Sequence, residues 1–312
     1  MSGAAATVRR RAFALAGGCL VALLAEYLLA VRTAPGQRFE DAVLRAADRV
    51  SGSTEQTRAL DTLDAITVSS VVVALILVLL VAFLRRRILL GLLSVGMIAA
   101  SIVTAEVIQH FVPRPILLEH GYRREDQSFP SGHATVAMAL MCALMMVVPY
   151  RFRGLVVVVG SLWAASVGVA TVTAGWHRPS DTIGAGLIVV GYACIAVAVL
   201  ARWGRVREAA LRTPAGRNLR GLLAGACAGV AVLAFAFAVA VVASHSSDRG
   251  NSAAALLLAG RLLALSASAG VAVALLALLR HVDLGAPPAD PAEEGSRDVE
   301  PGHAGVHRPS GT

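Results

Sequence analysis

Long apolar runs alternate with short polar breaks along most of this 312-residue chain. Runs near residues 12–31, 64–84, 88–109, 133–149, 154–174, 180–201, 220–243 and 253–279 approach the roughly 20 apolar residues that an α-helix needs to cross a bilayer. Because these runs are apolar on every face, they predict an all-α, polytopic integral membrane bundle of about eight transmembrane helices. Residues 36–63 are different. There Phe39, Val43, Leu44 and Ala47 recur at helical spacing between charges, so this outer amphipathic segment is expected to lie on the membrane surface. No small-residue cleavage site follows the first run, and Glu26 and Tyr27 interrupt its end. It is therefore expected to remain as a helix rather than leave as a signal peptide.

Composition agrees with this pattern: 56% of residues are hydrophobic, 15% are charged and the mean hydropathy is positive. The net charge of +8 would suit nucleic acid, but its placement argues against such a partner. Basic residues cluster at Arg9 to Arg11, Arg85 to Arg87, Arg151 with Arg153, 202 to 220 and Arg280, which are alternate ends of the expected helices. The positive-inside rule makes those ends and both termini cytoplasmic, with the chain in the cell inner (plasma) membrane. The expected organisation is a membrane core at 1–201 with motifs at 106–181, a basic cytoplasmic loop at 202–218, two additional helices at 219–280 and a disordered cytoplasmic tail at 281–312. Cys19, Cys142, Cys194 and Cys227 each sit in an apolar run without paired spacing, as small core residues do. There is no lysine. The arginine-only, alanine-rich composition hints at a high-GC, actinobacterium-like source.

The alternation of spans brings three distant groups to the outer face: Arg114, the segment Pro130-Ser131-Gly132-His133, and His177-Arg178-Pro179-Ser180-Asp181. Proline and serine before His133 mark a helix N-terminus, whose unpaired N–H groups and dipole bind anions. Asp181, four residues after His177, can reach back to one imidazole nitrogen and leave the other free as a nucleophile. This constellation suits phosphoryl transfer, with His177 attacking phosphorus, Asp181 orienting it, His133 protonating the leaving oxygen and Arg114 neutralising phosphate oxygens. Ser131 and Gly132 would contribute to phosphate binding. Neither a metal nor another cofactor is expected, since no carboxylate cluster for one lies nearby.

These residues resemble the type 2 phosphatidic acid phosphatase superfamily of integral-membrane lipid phosphatases, whose site is similar to that of vanadium haloperoxidases. Its motifs are a lysine, six residues and Arg-Pro; Pro-Ser-Gly-His; and Ser-Arg, five residues, His, three residues and Asp. The chain matches at Arg114-Pro115, at Pro130 to His133, and at His177 with Asp181. The likeness covers roughly residues 64–200 and implies a six-helix phosphatase-like core. Two positions depart from it: the lysine falls on Val107 and the Ser-Arg pair on Ala170-Thr171. Arg178 is the favoured replacement cation, with His110, Arg123 and Arg124 as auxiliaries; Glu106 lies one turn from His110 and can engage it instead. Glu26, Glu106 and Arg261, within apolar runs, line a lipid-entry groove or pair between helices. Trp176 and Trp203 suit the aromatic belt.

The resemblance implies a phosphatase of a lipid phosphate or diphosphate monoester, such as a polyprenyl phosphate or diphosphate, phosphatidate or a prenyl-linked sugar phosphate. It would act through a phosphohistidine at the extracytoplasmic face. The alternative is a catalytically weak homologue that binds phospholipid or supports envelope assembly. A transporter would need a broken-helix pair or an inverted repeat, and neither is visible.

Overall fold

A computed structural model describes residues 3–118, 128–209, 214–245 and 253–285. Ten α-helices carry almost all of it: α1 (Gly3–Glu26), α2 (Ala34–Asp48), α3 (Thr54–Asp64), α4 (Val68–Leu84), α5 (Ile88–Phe111), α6 (Gly132–Val147), α7 (Arg153–Thr173), α8 (Pro179–Arg202), α9 (Pro214–His245) and α10 (Ala253–Leu278). The protein is a polytopic helical membrane protein. Six spans are long and apolar enough to cross a bilayer: Ala5–Val31, Ile88–Phe111, Tyr150–Thr173, Pro179–Arg202, Gly221–Ala243 and Ala253–Leu278. Among the described residues the count rises to seven if the pair α3 and α4, bent by 54°, is taken as one broken span. The bend occurs where Thr67 and Ser70 cap α4 reciprocally, each side chain accepting the other's backbone N–H.

The eighth expected span, α6, has only 16 residues, about 24 Å of helix against a hydrocarbon core of roughly 30 Å. It is buried along nearly its whole length and packs against α4, α5, α7 and α8. Enclosed by protein, it has no bilayer thickness to match. The lipid-facing surface falls instead to α1, α4, α7 and α9, where Leu24, Leu77, Phe83, Leu162, Leu233 and Phe235 are all exposed. Where helices meet, small residues let backbones approach. A Cβ added to Gly260 of α10 would stand 2.6 Å from Val43 of α2.

The polar segment at 36–63 does not form a surface helix. It divides into α2 and α3, and α2 packs against α7 and α10. Its polar residues Gln37, Glu40 and Asp41 are buried alongside Val43, Leu44, Ala46 and Ala47. Burial is possible because each of these side chains has a partner: Gln37 donates to the Val31 and Pro115 carbonyls, Glu40 pairs with Arg114, and Asp41 with Arg178. Ahead of α2, a π-helical turn at Tyr27–Val31 ends α1.

At the opposite end of the bundle, the basic clusters converge around two short antiparallel strands, β1 (Val206–Glu208) and β2 (Val282–Leu284). Asp283 pairs with Arg87 at 2.7 Å and Arg85 at 3.3 Å, and Arg153 donates to the Val282 carbonyl. The segment expected to be a disordered tail thus begins with a strand, because Asp283 answers arginines from two helix ends; the rest of that tail lies outside the described residues. Likewise α9 starts at Pro214, so the basic loop is shorter than expected. The additional helix α10 packs against α2, α7 and α8. Arg261 donates to Thr173 and pairs with Glu55, an interhelical tie rather than a groove. All four cysteines are free thiols.

Candidate active site

The end away from the strands gathers the C-terminal end of α5, the N-termini of α6 and α8, and α2. Ser131 caps α6: its Oγ accepts from the Ala134 N–H at 3.3 Å, and the Thr135 hydroxyl returns to its carbonyl at 2.7 Å. The Ser131 N–H donates to the Asp181 carbonyl at 2.9 Å, tying this loop to α8. Gln109 of α5 donates to the carbonyls of Ser128 and Pro130 and holds the loop from the other side.

On α8, Pro179 occupies the first turn and Asp181 accepts from the Arg178 N–H at 2.9 Å. The Asp181 carboxylate is wholly buried and also receives His177 Nδ1 at 3.3 Å and Arg114 Nη2 at 3.1 Å. His177 Nδ1 lies 3.1 Å from the Ser128 carbonyl too. Two acceptors at Nδ1 assign the proton there and leave Nε2 with its lone pair. The His177 backbone N–H, with that of Trp176, donates to the Thr171 carbonyl, so the turn before α8 is anchored to α7.

His133 and His177 line one cavity of about 560 Å³, together with Ser128, Gly132, Glu106, Gln109 and Trp176. Ile66, Val68, Val71 and Val72 from the start of α4 complete it with Ile102 and Val136 as an apolar wall. The Trp176 ring lies 5.6 Å from the His133 ring, which makes it part of the cavity rather than only a belt residue. Two convergent imidazoles above an apolar wall form the kind of pocket that takes a ligand with one polar and one hydrophobic end.

The arginines lie elsewhere. Arg114 is held by Glu40 at 2.6 Å as well as by Asp181, and Arg178 by Asp41 at 3.2 Å and the Ser128 hydroxyl at 3.4 Å. Neither borders the cavity, and Arg178 is only 4% exposed. Ser131 lies behind the cavity wall, fully buried, with its hydroxyl engaged in the cap. His110 is exposed and packs edge-on against Phe111, with ring centroids 4.8 Å apart. Arg123 and Arg124 lie outside the described residues. Val107, at the lysine position, is exposed on α5, and Thr171 is buried with its hydroxyl donating to the Gly168 carbonyl.

Residues 90–207, from α5 through β1, match the family model of the PAP2 superfamily. That segment is similar to the PAP2 superfamily. No curated protein and no solved structure matches the chain. The PAP2 superfamily generally comprises phosphatases. Gln37, Glu40 and Asp41 lie outside the matched segment, yet they contact its Arg-Pro and His motifs. Gln37 donates to the Pro115 carbonyl and accepts from the Leu117 N–H at 3.2 Å. Tyr27 donates to the Pro113 carbonyl at 2.8 Å. Sequence reasoning did not single out Glu40 or Asp41; the available signal was a pair of carboxylates one turn before the apolar face of an amphipathic helix. Burial pushes the Glu40 carboxyl up, against the pull of Arg114.

Proposed function

We propose that the protein is a lipid phosphate phosphatase whose PAP2 core hydrolyses a phosphate or diphosphate monoester at a membrane-embedded cavity. The observation that carries this reading is the Asp181–His177 contact on the wall of a cavity shared with His133. His177 Nε2 attacks phosphorus, the P–O ester bond breaks, and His133 gives its proton to the leaving oxygen. Water then attacks the phosphohistidine, His133 takes up a proton from it, and inorganic phosphate leaves with His177 restored. Asp181 keeps the Nδ1 proton in place and stabilises the positive charge that develops on the ring. The apolar wall from α4 suits a prenyl or acyl chain, with polyprenyl phosphates and diphosphates, phosphatidate and prenyl-linked sugar phosphates as the substrate class. The arginine clusters at the strand end support, through the positive-inside rule, an orientation with that end in the cytoplasm and the cavity on the extracytoplasmic side of the plasma membrane.

Phosphate release from detergent-solubilised protein, given a panel of these lipids, tests the reading. Release that disappears in His177→Ala is expected; release unchanged in that variant rejects the mechanism.

One observation favours a second reading, a catalytically weak homologue that binds phospholipid or supports envelope assembly. Both arginines near the histidines are paired with carboxylates, and the cavity wall carries Glu106 instead of a guanidinium. Binding of a lipid phosphate with no release above that of His177→Ala would decide for it.

A further inference from the structure

At the strand end, α1 and α8 pack along much of their length but leave a cleft of about 1060 Å³ between the start of α1 and the last turns of α8. Arg9, Arg10 and Arg202 line it together with Phe13, Ile195 and Trp203, and no carboxylate does. Phe13 is 64% exposed and Ile195 53%. Arg10 and Arg202 are exposed as well, and among the described residues no ion pair engages either. Arg85 and Arg87 at the same end behave differently, since they share Asp283.

The Arg10 and Arg202 guanidinium groups, sharing one cleft, repel one another unless an anion joins them. The floor imposes a second requirement, because exposed Phe13 and Ile195 on a membrane helix face hydrocarbon. Only an amphiphile with an anionic head meets both. Trp203, amphipathic and placed directly after Arg202, marks the depth at which head and chain regions meet.

We propose that this cleft binds an anionic glycerophospholipid from the leaflet at the basic end of the bundle, its phosphate between Arg10 and Arg202 and an acyl chain along Phe13 and Ile195. Basic pockets between membrane helices recognise lipid headgroups by this chemistry. The site is separate from the histidine cavity, which lies at the other end of α8.

Native mass spectrometry of the full-length protein, released from membranes of equal phosphatidylglycerol and phosphatidylcholine content, tests the proposal. Phosphatidylglycerol is a diester without a terminal phosphate, so the outcome does not depend on the phosphatase reading. The wild type is expected to retain phosphatidylglycerol in preference to phosphatidylcholine. Arg10→Gln and Arg202→Gln should each weaken retention about five-fold, and the pair together about 30-fold, from the contribution of each basic residue near a charged surface. Both side chains are exposed, so the single variants are compatible with folding even if the pair is not. Arg151→Gln, at the same end but outside the cleft, should leave retention unchanged. Equal retention of both lipids, an equal loss in Arg151→Gln, or a lipid-free dimer of the wild type would each overturn the proposal. So would a loss confined to His177→Ala, which would put the lipid in the histidine cavity.

Discussion

Arg114 joins two buried carboxylates, and its replacement should therefore act first on stability. Its guanidinium lies 2.6 Å from Glu40 and 3.1 Å from Asp181, whose side chains are 2% and 0% exposed. Arg114→Met keeps the length of the side chain and removes the charge. Asp181 would retain the Arg178 N–H and His177, whereas Glu40 would lose its cation in a site closed to water. Breaking a buried pair on one side costs about 3–5 kcal/mol, because the remaining charge is uncompensated. A purely substrate-binding arginine would behave otherwise: its loss would lower turnover about 10²- to 10³-fold without altering unfolding. Denaturant unfolding of the purified protein in detergent, followed by helical signal and run beside phosphate release, separates the two. Arg114→Met is expected to lose most of that energy, and Arg114→Met/Glu40→Gln to recover much of it, since the amide removes the stranded charge. A single variant within about 0.5 kcal/mol of wild type, the usual range for a surface change, would refute the structural role. A double variant no more stable than the single one would refute the assignment to Glu40.

Three further outcomes follow from the geometry. Glu106→Gln removes a carboxylate from the cavity that holds His133 and His177, so inorganic phosphate should inhibit the variant at lower concentration than wild type; unchanged inhibition would place that carboxylate out of reach of the bound anion. A Cβ on Gly184 would stand 2.7 Å from the Phe129 ring and 3.5 Å from Pro130. Gly184→Ala should then displace the loop before His133, costing about 1–3 kcal/mol by overpacking and most of the turnover, while Gly191→Ala, where a Cβ meets nothing within 4 Å, serves as the silent control. At the strand end, partial burial pushes the Asp283 carboxyl up, but the Arg87 hydrogen bond and the charges of Arg87, Arg85 and Arg153 outweigh it and hold the group below its ordinary value. A depressed carboxyl stabilises the fold above its unfolded pKa and loses that contribution as pH falls through the folded value. Wild type should therefore lose thermal stability below about pH 4, and Asp283→Asn should be less stable at neutral pH and lack that part of the acid response.

The helices were legible because apolar length is the constraint a bilayer imposes, and every expected run coincides with a helix. What the runs could not convey is which helix the others enclose. The interior α6 and the lipid-facing α4 are both apolar all round, and only packing tells Met138, Met141 and Met145 apart from Leu77, Leu80 and Phe83. The site was legible in part for a similar reason. His133, His177, Asp181 and Arg114 were expected at one end from helix count alone, and they meet there. Arg178 adjoins His177 in sequence, but as the residue that precedes α8 its side chain leaves in another direction and ends on Asp41. Hydropathy alone does not reveal such contacts, because residues 40 and 114 are far apart in the chain and their pairing depends on how α2 docks.

The docking of α2 bears on the choice between an enzyme and a binder. Each of the two acids on α2 takes one of the two arginines near the histidines, Glu40 with Arg114 and Asp41 with Arg178, and Arg114 also pairs with Asp181. Both guanidinium groups are therefore engaged without substrate, so an entering phosphate dianion gains full use of either only by competing with a buried carboxylate at hydrogen-bond distance. His177 meets its carboxylate through Nδ1 and keeps Nε2 for a ligand, and Gly132 and His133 at the start of α6 already border the cavity. Under the proposed function, phosphate recognition would fall to the helix terminus and the histidines, while the Arg114 guanidinium and the Arg178 N–H hold Asp181, which in turn contacts His177. The departures at Val107 and Thr171 agree with that division: Val107 is exposed on α5, and Thr171 is buried where its carbonyl anchors the His177 turn. On that reading the cations absent from positions 107 and 171 are not replaced by Arg114 or Arg178, whose side chains are committed to carboxylates.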